Sequence, residues 1–176
     1  MTTTIYSFNP IAHTDAKVLI LGSMPSELSL QLNQYYAHPR NSFWLIMGKL
    51  LGAEPSLSYS QRTQVLLSKQ VALWDVLKAC QRQGSLDAKI KPSSMIANDF
   101  VSFYAKHPQI KQVFFNGSTA EKVYKKQVLA TVNTLFPTRQ YSRLPSTSPA
   151  NAVLSIEQKL AHWQVIKLAL GLTAAC

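Results

Sequence analysis

A ten-residue segment at positions 35–44 is dense in side chains that can recognise a planar ring or hold a water molecule. It reads Tyr-Tyr-Ala-His-Pro-Arg-Asn-Ser-Phe-Trp. Tyr36 can stack on a nucleic-acid base, and Arg40 can bind a phosphate. The amide of Asn41 can bind a base edge or orient a water molecule. His38 can either brace this loop or take part in the chemistry, so the segment predicts a site for a base.

Two shorter loops place small, polar and proline residues directly after hydrophobic segments. The first, 22–26, reads Gly-Ser-Met-Pro-Ser, and the second, 144–151, reads Leu-Pro-Ser-Thr-Ser-Pro-Ala-Asn. A glycine at a strand end lets another molecule approach the backbone closely. Ser146 and Ser148 can hold a phosphate through a hydroxyl or a backbone N–H. Taken alone, the first loop is more typical of an ordinary strand-to-helix turn, and the second is more typical of a proline-rich surface loop.

The three segments need a scaffold, and the hydrophobic pattern indicates one in which strands alternate with helices. A continuous apolar run predicts a buried strand at 18–23, and further strands are predicted at 71–77, 112–116 and 140–144. Helical patterns with caps and stops predict helices at 41–51, 59–68, 92–106, 117–129 and 155–170. This order predicts an α/β fold, a three-layer α/β/α sandwich with a central, mainly parallel four-stranded sheet, in one domain spanning 1–176. The loops would then meet at the carboxyl ends of the strands.

The charge balance points towards a polyanionic partner. The 176 residues include 18 Lys and Arg against 8 Asp and Glu, which gives a formal net charge of +10. Phosphate contacts release counterions and favour association of such a protein with nucleic acid. The alternative is a protein that is merely basic and soluble. A cluster at Lys122, Lys125 and Lys126 is expected to form a solvated helix face.

Several classes of protein are disfavoured by what the sequence lacks. No apolar stretch is long enough to span a membrane, and the first residues do not resemble a secretion signal, so a cytoplasmic protein is expected. Its two cysteines, Cys80 and Cys176, are expected to be reduced thiols. Without Cys or His clusters we expect no metal and no cofactor. The absence of a G-x-S-x-G motif argues against an esterase.

Segment 36–44 closely resembles the F-A-H-P-x-N-R-F-W segment of the mismatch-specific uracil/thymine DNA glycosylases, within the uracil-DNA glycosylase superfamily. The other two loops are more similar to the G-S-M-P-G and L-P-S-T-S-P-A motifs of the hypoxanthine-DNA glycosylase, or DNA-deoxyinosine glycosylase, branch. Segment 73–87 also looks like that branch. The resemblance spans positions 18–151, which is most of the chain.

The resemblance implies a monofunctional DNA repair enzyme that flips a deaminated base into a pocket and hydrolyses its N-glycosidic bond, leaving an abasic site. Hypoxanthine is the implied base. A uracil or broad deaminated-base glycosylase is one alternative, and a non-catalytic DNA-binding member of the fold is another. The implied partner is damaged DNA, and we expect a monomer.

Met24 occupies the position at which the mismatch-specific enzymes carry the Asn that positions water. A thioether cannot activate water, so the resemblance points to Asn41 as the catalytic residue. Tyr36 and the first loop would then form the base pocket, with loop residues Gly22, Ser23, Met24 and Pro25. Asn116 ends the third predicted strand and either contacts the base edge or caps the next helix. The residues expected to contact DNA are His38, Arg40, Ser146, Thr147, Ser148 and Asn151.

Overall fold

The computed structural model describes residues 3–172. Within this range seven strands form two sheets: β1 (Thr4–Tyr6), β2 (Val18–Gly22), β3 (Val71–Asp75), β4 (Leu77–Gln81), β5 (Ile96–Ala97), β6 (Gln112–Asn116) and β7 (Gln140–Leu144). The larger sheet is parallel, in the order β3-β2-β6-β7. Every residue of β2 and β3 is buried, as expected for strands covered on both faces.

The strand order of the parallel sheet has a topological switch point between β2 and β6. The strand that follows β2 in this sheet, β3, lies on the outer side of β2, and the strand that follows β6, β7, lies on the outer side of β6. Register places Gly22 beside Asp75, and Asn116 beside Leu144, at the carboxyl edge of the sheet. Ligands of open α/β sheets bind outside the carboxyl ends of strands at such a point.

The smaller sheet is antiparallel, in the order β1-β4-β5, and the sequence pattern did not predict it. The prediction of a single strand at 71–77 is wrong over its last two residues, Val76 and Leu77. The parallel strand stops at Asp75, and the N–H of Val76 donates to the carbonyl of Gly22 at 2.8 Å. The N–H of Leu77 donates to the carbonyl of Ser23 at 3.1 Å, and the chain then enters β4.

Eight helices lie in the described range: α1 (Glu27–Leu32), α2 (Phe43–Leu51), α3 (Tyr59–Ser68), α4 (Phe100–Lys106), α5 (Ser118–Gln127), α6 (Leu129–Leu135), α7 (Ile156–Trp163) and α8 (Val165–Ala169). The predicted helices at 41–51, 59–68 and 117–129 are confirmed by α2, α3 and α5. The helix predicted at 155–170 begins at the expected position, where Ser155 forms a capping box with Gln158, but it is divided into α7 and α8 at Gln164.

The helix predicted at 92–106 is wrong over its first half. Pro92 begins a short 3-10 turn, and Ile96 and Ala97 pair with β4 instead. The helix starts only at Phe100, where the carboxylate of Asp99 accepts a hydrogen bond from the N–H of Ser102 at 3.0 Å. An aspartate N-cap of this kind fixes a helix start locally.

The helices pack in two groups on the parallel sheet, which confirms the predicted three-layer α/β/α architecture. Helices α2, α3 and α7 belong to one group, in which the rings of Phe43 and Trp163 meet at 6.0 Å. Helices α4, α5 and α6 form the other, in which Phe100 meets Tyr124 at 5.0 Å. Cys80 is a buried free thiol, whereas Cys176 lies outside the described residues.

Candidate active site

A cleft of about 1240 Å³ opens at the carboxyl edge of the parallel sheet. All thirteen residues predicted for the site contribute to its lining: Gly22, Ser23, Met24, Pro25, Tyr36, His38, Arg40, Asn41, Asn116, Ser146, Thr147, Ser148 and Asn151. The sheet brings them together although they come from loops more than a hundred positions apart. The individual role of each residue stays a prediction.

Gly22 is required by the close approach of two side chains to its Cα. A Cβ at this position would lie 2.5 Å from Oδ1 of Asp75 and 2.9 Å from the hydroxyl of Tyr36. Real Cβ atoms do not approach oxygen so closely, so any other residue would displace one of these groups. The glycine thus lets a carboxylate and a phenol meet at the base of the cleft.

The loop at 22–26 and the segment at 35–44 are joined through α1. Ser26 caps this helix by accepting a hydrogen bond from the N–H of Ser29 at 3.2 Å. The buried hydroxyl of Ser29 in turn accepts from the N–H of Ala37 at 3.1 Å. Met24 is 7% exposed and packs into the core, so its side chain supports the loop from below.

Tyr36 and its neighbour Tyr35 have different environments. Tyr35 is buried in the core and donates its hydroxyl to the carbonyl of Asn9. Tyr36 has a φ of +54° and stacks on Phe43, with ring centroids 4.0 Å apart. Its hydroxyl is buried and has no hydrogen-bond partner among residues 3–172. Burial and the charge of Asp75 raise the pKa of Tyr36 well above its ordinary value, so the hydroxyl keeps its proton.

Asn41 is held at the entrance to α2 by the backbone. Its Oδ1 accepts a hydrogen bond from the N–H of Phe43 at 3.0 Å, and its own N–H donates to the carbonyl of His38. One lone pair of Oδ1 and the Nδ2 group are left for other partners. Nδ1 of His38 accepts from the N–H of Arg40 at 3.1 Å, so this histidine braces the loop. The Arg40 side chain is exposed.

Asn116 is hydrogen-bonded to Thr147 in the loop at 144–151, which we call the late loop. Its Oδ1 accepts from the N–H of Thr147, and its Nδ2 donates to the Thr147 hydroxyl, both at 2.9 Å. The carbonyl of Thr147 accepts from the N–H of Ser42 at 3.0 Å. Thr147 is only 1% exposed, and its hydrogen bonds connect Asn116 to the loop that carries Ser42. Its contact with DNA stays a prediction.

The remainder of the late loop is held by α7. Lys159 donates to the carbonyl of Asn151 at 2.7 Å, and the indole of Trp163 donates to the carbonyl of Pro145 at 3.0 Å. The Asn151 amide donates to the carbonyl of Ser146 at 3.2 Å. Beyond this loop the side chain of Val153 is 88% exposed at the edge of the cleft.

Two carboxylates that sequence reasoning did not assign to the site also line the cleft. Asp75 is 3% exposed, and its Oδ2 accepts from the Ser7 hydroxyl at 2.6 Å. The pKa of Asp75 is raised to about 7, mainly by burial and also by the charge of Asp87, against the opposing effects of the Ser7 hydrogen bond and of Arg82. Asp87 accepts from the Ser23 hydroxyl at 2.6 Å, and burial raises its pKa as well.

The sequence contains one indication of these residues, since Asp75 and Asp87 lie in segment 73–87, which resembles the hypoxanthine-DNA glycosylase branch. The resemblance implies no role for either carboxylate. Leu86, from the same segment, is 51% exposed at the cleft. Arg82 is buried and donates to the carbonyls of Gly84 and Pro25, which fixes the first loop from behind.

The described residues contain neither a group of three or more His, Cys, Asp or Glu side chains suited to holding a metal ion nor a helix long and apolar enough to cross a membrane. The predicted lysine cluster of α5 is exposed, and Lys125 forms a salt bridge with Glu121 at 2.8 Å.

Comparison with known proteins identifies relatives along most of the chain. The family model of the Uracil DNA glycosylase superfamily matches residues 10–167. A hypoxanthine DNA glycosylase of Methanosarcina barkeri is 39% identical over 111 residues, covering 62% of this chain and 69% of that protein. A hypoxanthine DNA glycosylase of Methanosarcina acetivorans is 31% identical over 160 residues, covering 90% and 95%. The solution NMR structure of a candidate uracil DNA glycosylase from Methanosarcina acetivorans has a TM-score of 0.78 and 30% identity, covering 96% and 99%.

Proposed function

The chain belongs to the uracil DNA glycosylase superfamily, and we propose on this basis that it is a DNA glycosylase that hydrolyses the N-glycosidic bond of hypoxanthine in DNA. Two relatives that match it are hypoxanthine DNA glycosylases. The observation that carries the proposal is the convergence on one cleft of Tyr36 and Asn41, from segment 35–44, with Asn116, from the end of β6.

Base release requires the nucleotide to leave the helix, because the sugar–base bond is shielded inside the stack. In the proposal the flipped base stacks on Tyr36, whose ring is already supported by Phe43 on one face. Such stacking is worth roughly 1–3 kcal/mol per base. Hypoxanthine pairs weakly, which lowers the cost of extrusion.

Asn41 is proposed to orient the water that attacks the anomeric carbon. Its amide is oriented by the bond to the N–H of Phe43, so little further ordering is needed when the substrate binds. Asn116 is proposed to contact the base edge with the hydrogen-bonding capacity that Thr147 leaves free. Neither role requires a cofactor.

The DNA strand is proposed to lie across the outer rim of the cleft. Arg40 is exposed there, and Ser146 and Ser148 line the same cleft. The net charge of +10 favours this association. We further propose that the protein acts inside the cell as a monomer, since all of these groups come from one chain.

The test is base release from labelled duplexes that carry inosine, uracil, xanthine or a G·T mismatch. Alkali-sensitive cleavage at inosine is expected, and Asn41→Ala should abolish it while DNA affinity is kept. The matched control is Asn133→Ala, at an exposed asparagine of α6. Preferred release of uracil would assign the chain to another specificity, and binding without any release would show a non-catalytic protein.

A further inference from the structure

We propose that Asp75 is the general acid of this reaction and that it gives a proton to N7 of the purine as the base departs. The inference rests on the proposed function, because it requires a purine substrate. The roles proposed above assign the water and the base stack but leave the departing base without a proton donor.

The position of Asp75 places one carboxylate oxygen at the base of the cleft. The residue ends β3, in register with Gly22 at the end of β2. Its Oδ1 lies 2.5 Å from the point where a Cβ of residue 22 would stand, and the Tyr36 hydroxyl lies 2.9 Å from the same point. A base stacked along the Tyr36 ring therefore presents one edge to Oδ1 of Asp75.

The carboxyl group and the backbone carbonyl of Asp75 are each held by a neutral donor. Ser7, which directly follows β1, donates to Oδ2 at 2.6 Å. The amide of Asn98 donates to the backbone carbonyl of Asp75 at 2.8 Å. Asp75 forms no salt bridge with any cation in the described part of the chain. The second oxygen is thus left directed at the cleft, where a proton can be transferred.

The surroundings keep a proton on Asp75 near neutral pH. Burial is the main cause of the raised pKa of about 7. The titratable and charged groups around it are Asp87, which raises this pKa, Arg82, which lowers it, and the protonated phenols of Tyr35, Tyr36 and Tyr59. General acids work best when the pKa lies close to the operating pH.

The chemistry balances without a further reactant. The bond between C1′ and N9 breaks, and its electron pair moves into the purine ring, while the N7 lone pair takes the proton of Asp75. The base leaves neutral. Water held by Asn41 bonds to C1′ and loses a proton to solvent, and solvent returns a proton to the Asp75 carboxylate. Water and nucleoside thus give an abasic sugar and free base.

The test compares deoxyinosine with 7-deaza-2′-deoxyinosine, which lacks N7, in the same duplex under single-turnover conditions. Asp75→Asn should slow release of hypoxanthine by about 10²–10⁴-fold, the usual contribution of general acid catalysis. The same change should barely alter the slow reaction of the 7-deaza substrate. The wild-type rate should fall as the pH rises above about 7, whereas the Asp75→Asn rate should not.

The matched control is Asp15→Asn, at an exposed aspartate just before β2 and hence at the amino edge of the sheet, opposite the cleft, and it should behave as the wild type. Thermal unfolding and DNA binding establish that Asp75→Asn is folded. Equal rates for Asp75→Asn and the wild type, or equal losses on both substrates, would overturn the role of Asp75 alone. Absence of hypoxanthine release by the wild type would instead overturn the proposed function.

Discussion

Asn116 and Thr147 exchange two hydrogen bonds of 2.9 Å, in which the asparagine amide both donates to and accepts from the same residue. The pair lies at the switch point of the sheet and fixes the late loop to the end of β6. Because Thr147 also accepts from Ser42, this contact sets the spacing between the late loop and the loop that carries Asn41.

Substitutions that remove these hydrogen bonds should lower the free energy of unfolding, and the loss should be larger for Asn116 than for Thr147. Thr147→Val loses one neutral hydrogen bond, at a cost of about 1 kcal/mol. Asn116→Ala also leaves the buried N–H of Thr147 without a partner, so a loss of roughly 2–3 kcal/mol is expected. Urea unfolding measures both, with the exposed Asn133→Ala as a control expected to change stability by less than about 0.5 kcal/mol. Equal stability of Asn116→Ala and the wild type would contradict this reading of the pair.

Asp75 should make the folded state less stable as the pH rises. Its pKa is about 7 in the folded protein and near 4 in an unfolded chain, so between these values only the folded state holds the proton. The free energy of unfolding therefore falls from about pH 4 to pH 7. Asp75→Asn should be more stable than the wild type above pH 7, on the order of a few kcal/mol, since each pKa unit is worth about 1.4 kcal/mol.

The measurement for Asp75 is urea unfolding of the wild type and Asp75→Asn at a series of pH values from 4 to 8. The gain from the substitution should shrink as the pH falls and vanish near pH 4. Asp15→Asn should show no such trend. A gain of the same size at every pH would mean that packing, and not the proton, accounts for the effect.

Val153 should matter for duplex DNA and little for folding. Its side chain is 88% exposed beside the cleft, where an apolar group has no partner in the free protein. Val153→Ala removes two methyl groups, each worth about 0.8 kcal/mol when buried, so the rate on inosine in a duplex should fall by about 10-fold. Stability should stay within about 0.5 kcal/mol. Single-stranded inosine should be little affected. Leu168→Ala, at a 72% exposed leucine of α8, is the control, and a loss of the same size there would remove the special role of Val153.

Arg40 should contribute one phosphate contact. Each such contact steepens the decline of log affinity with log salt by about 0.9. Arg40→Gln should therefore lower DNA affinity and reduce this slope by about that amount. Fluorescence anisotropy across a salt series measures it. Lys69→Gln, just before β3 at the amino edge of the sheet and hence opposite the cleft, should leave the slope unchanged.

The parallel sheet and the cleft could be predicted because their signals are local. A buried strand such as β2 is a continuous apolar run, and the loop at 22–26 follows it directly. The antiparallel sheet could not be predicted, since β1 and β5 contain three and two residues. Strands this short carry no periodicity, and their pairing depends on contacts with distant parts of the chain.

The candidate site likewise contains residues that could be predicted from the sequence and residues that could not. Tyr36 and Asn41 carry side-chain chemistry that is evident from residue type. Asp75 was not assigned because its importance comes from burial and from the missing side chain of Gly22, and neither can be seen in the sequence alone. Thr147 looked like a surface hydroxyl, and only the fold shows it turned inward to Asn116.

The attachment of the late loop to α7 limits how that loop can move. Lys159 and Trp163 are four residues apart on one helix, about 6 Å along its axis, and they hold the carbonyls of Asn151 and Pro145. The two ends of the loop therefore cannot separate while the helix is intact. When the loop shifts against DNA, α7 must shift with it as a rigid body. Substitutions elsewhere on α7 that shift the helix should thus change the position of a loop that they do not touch.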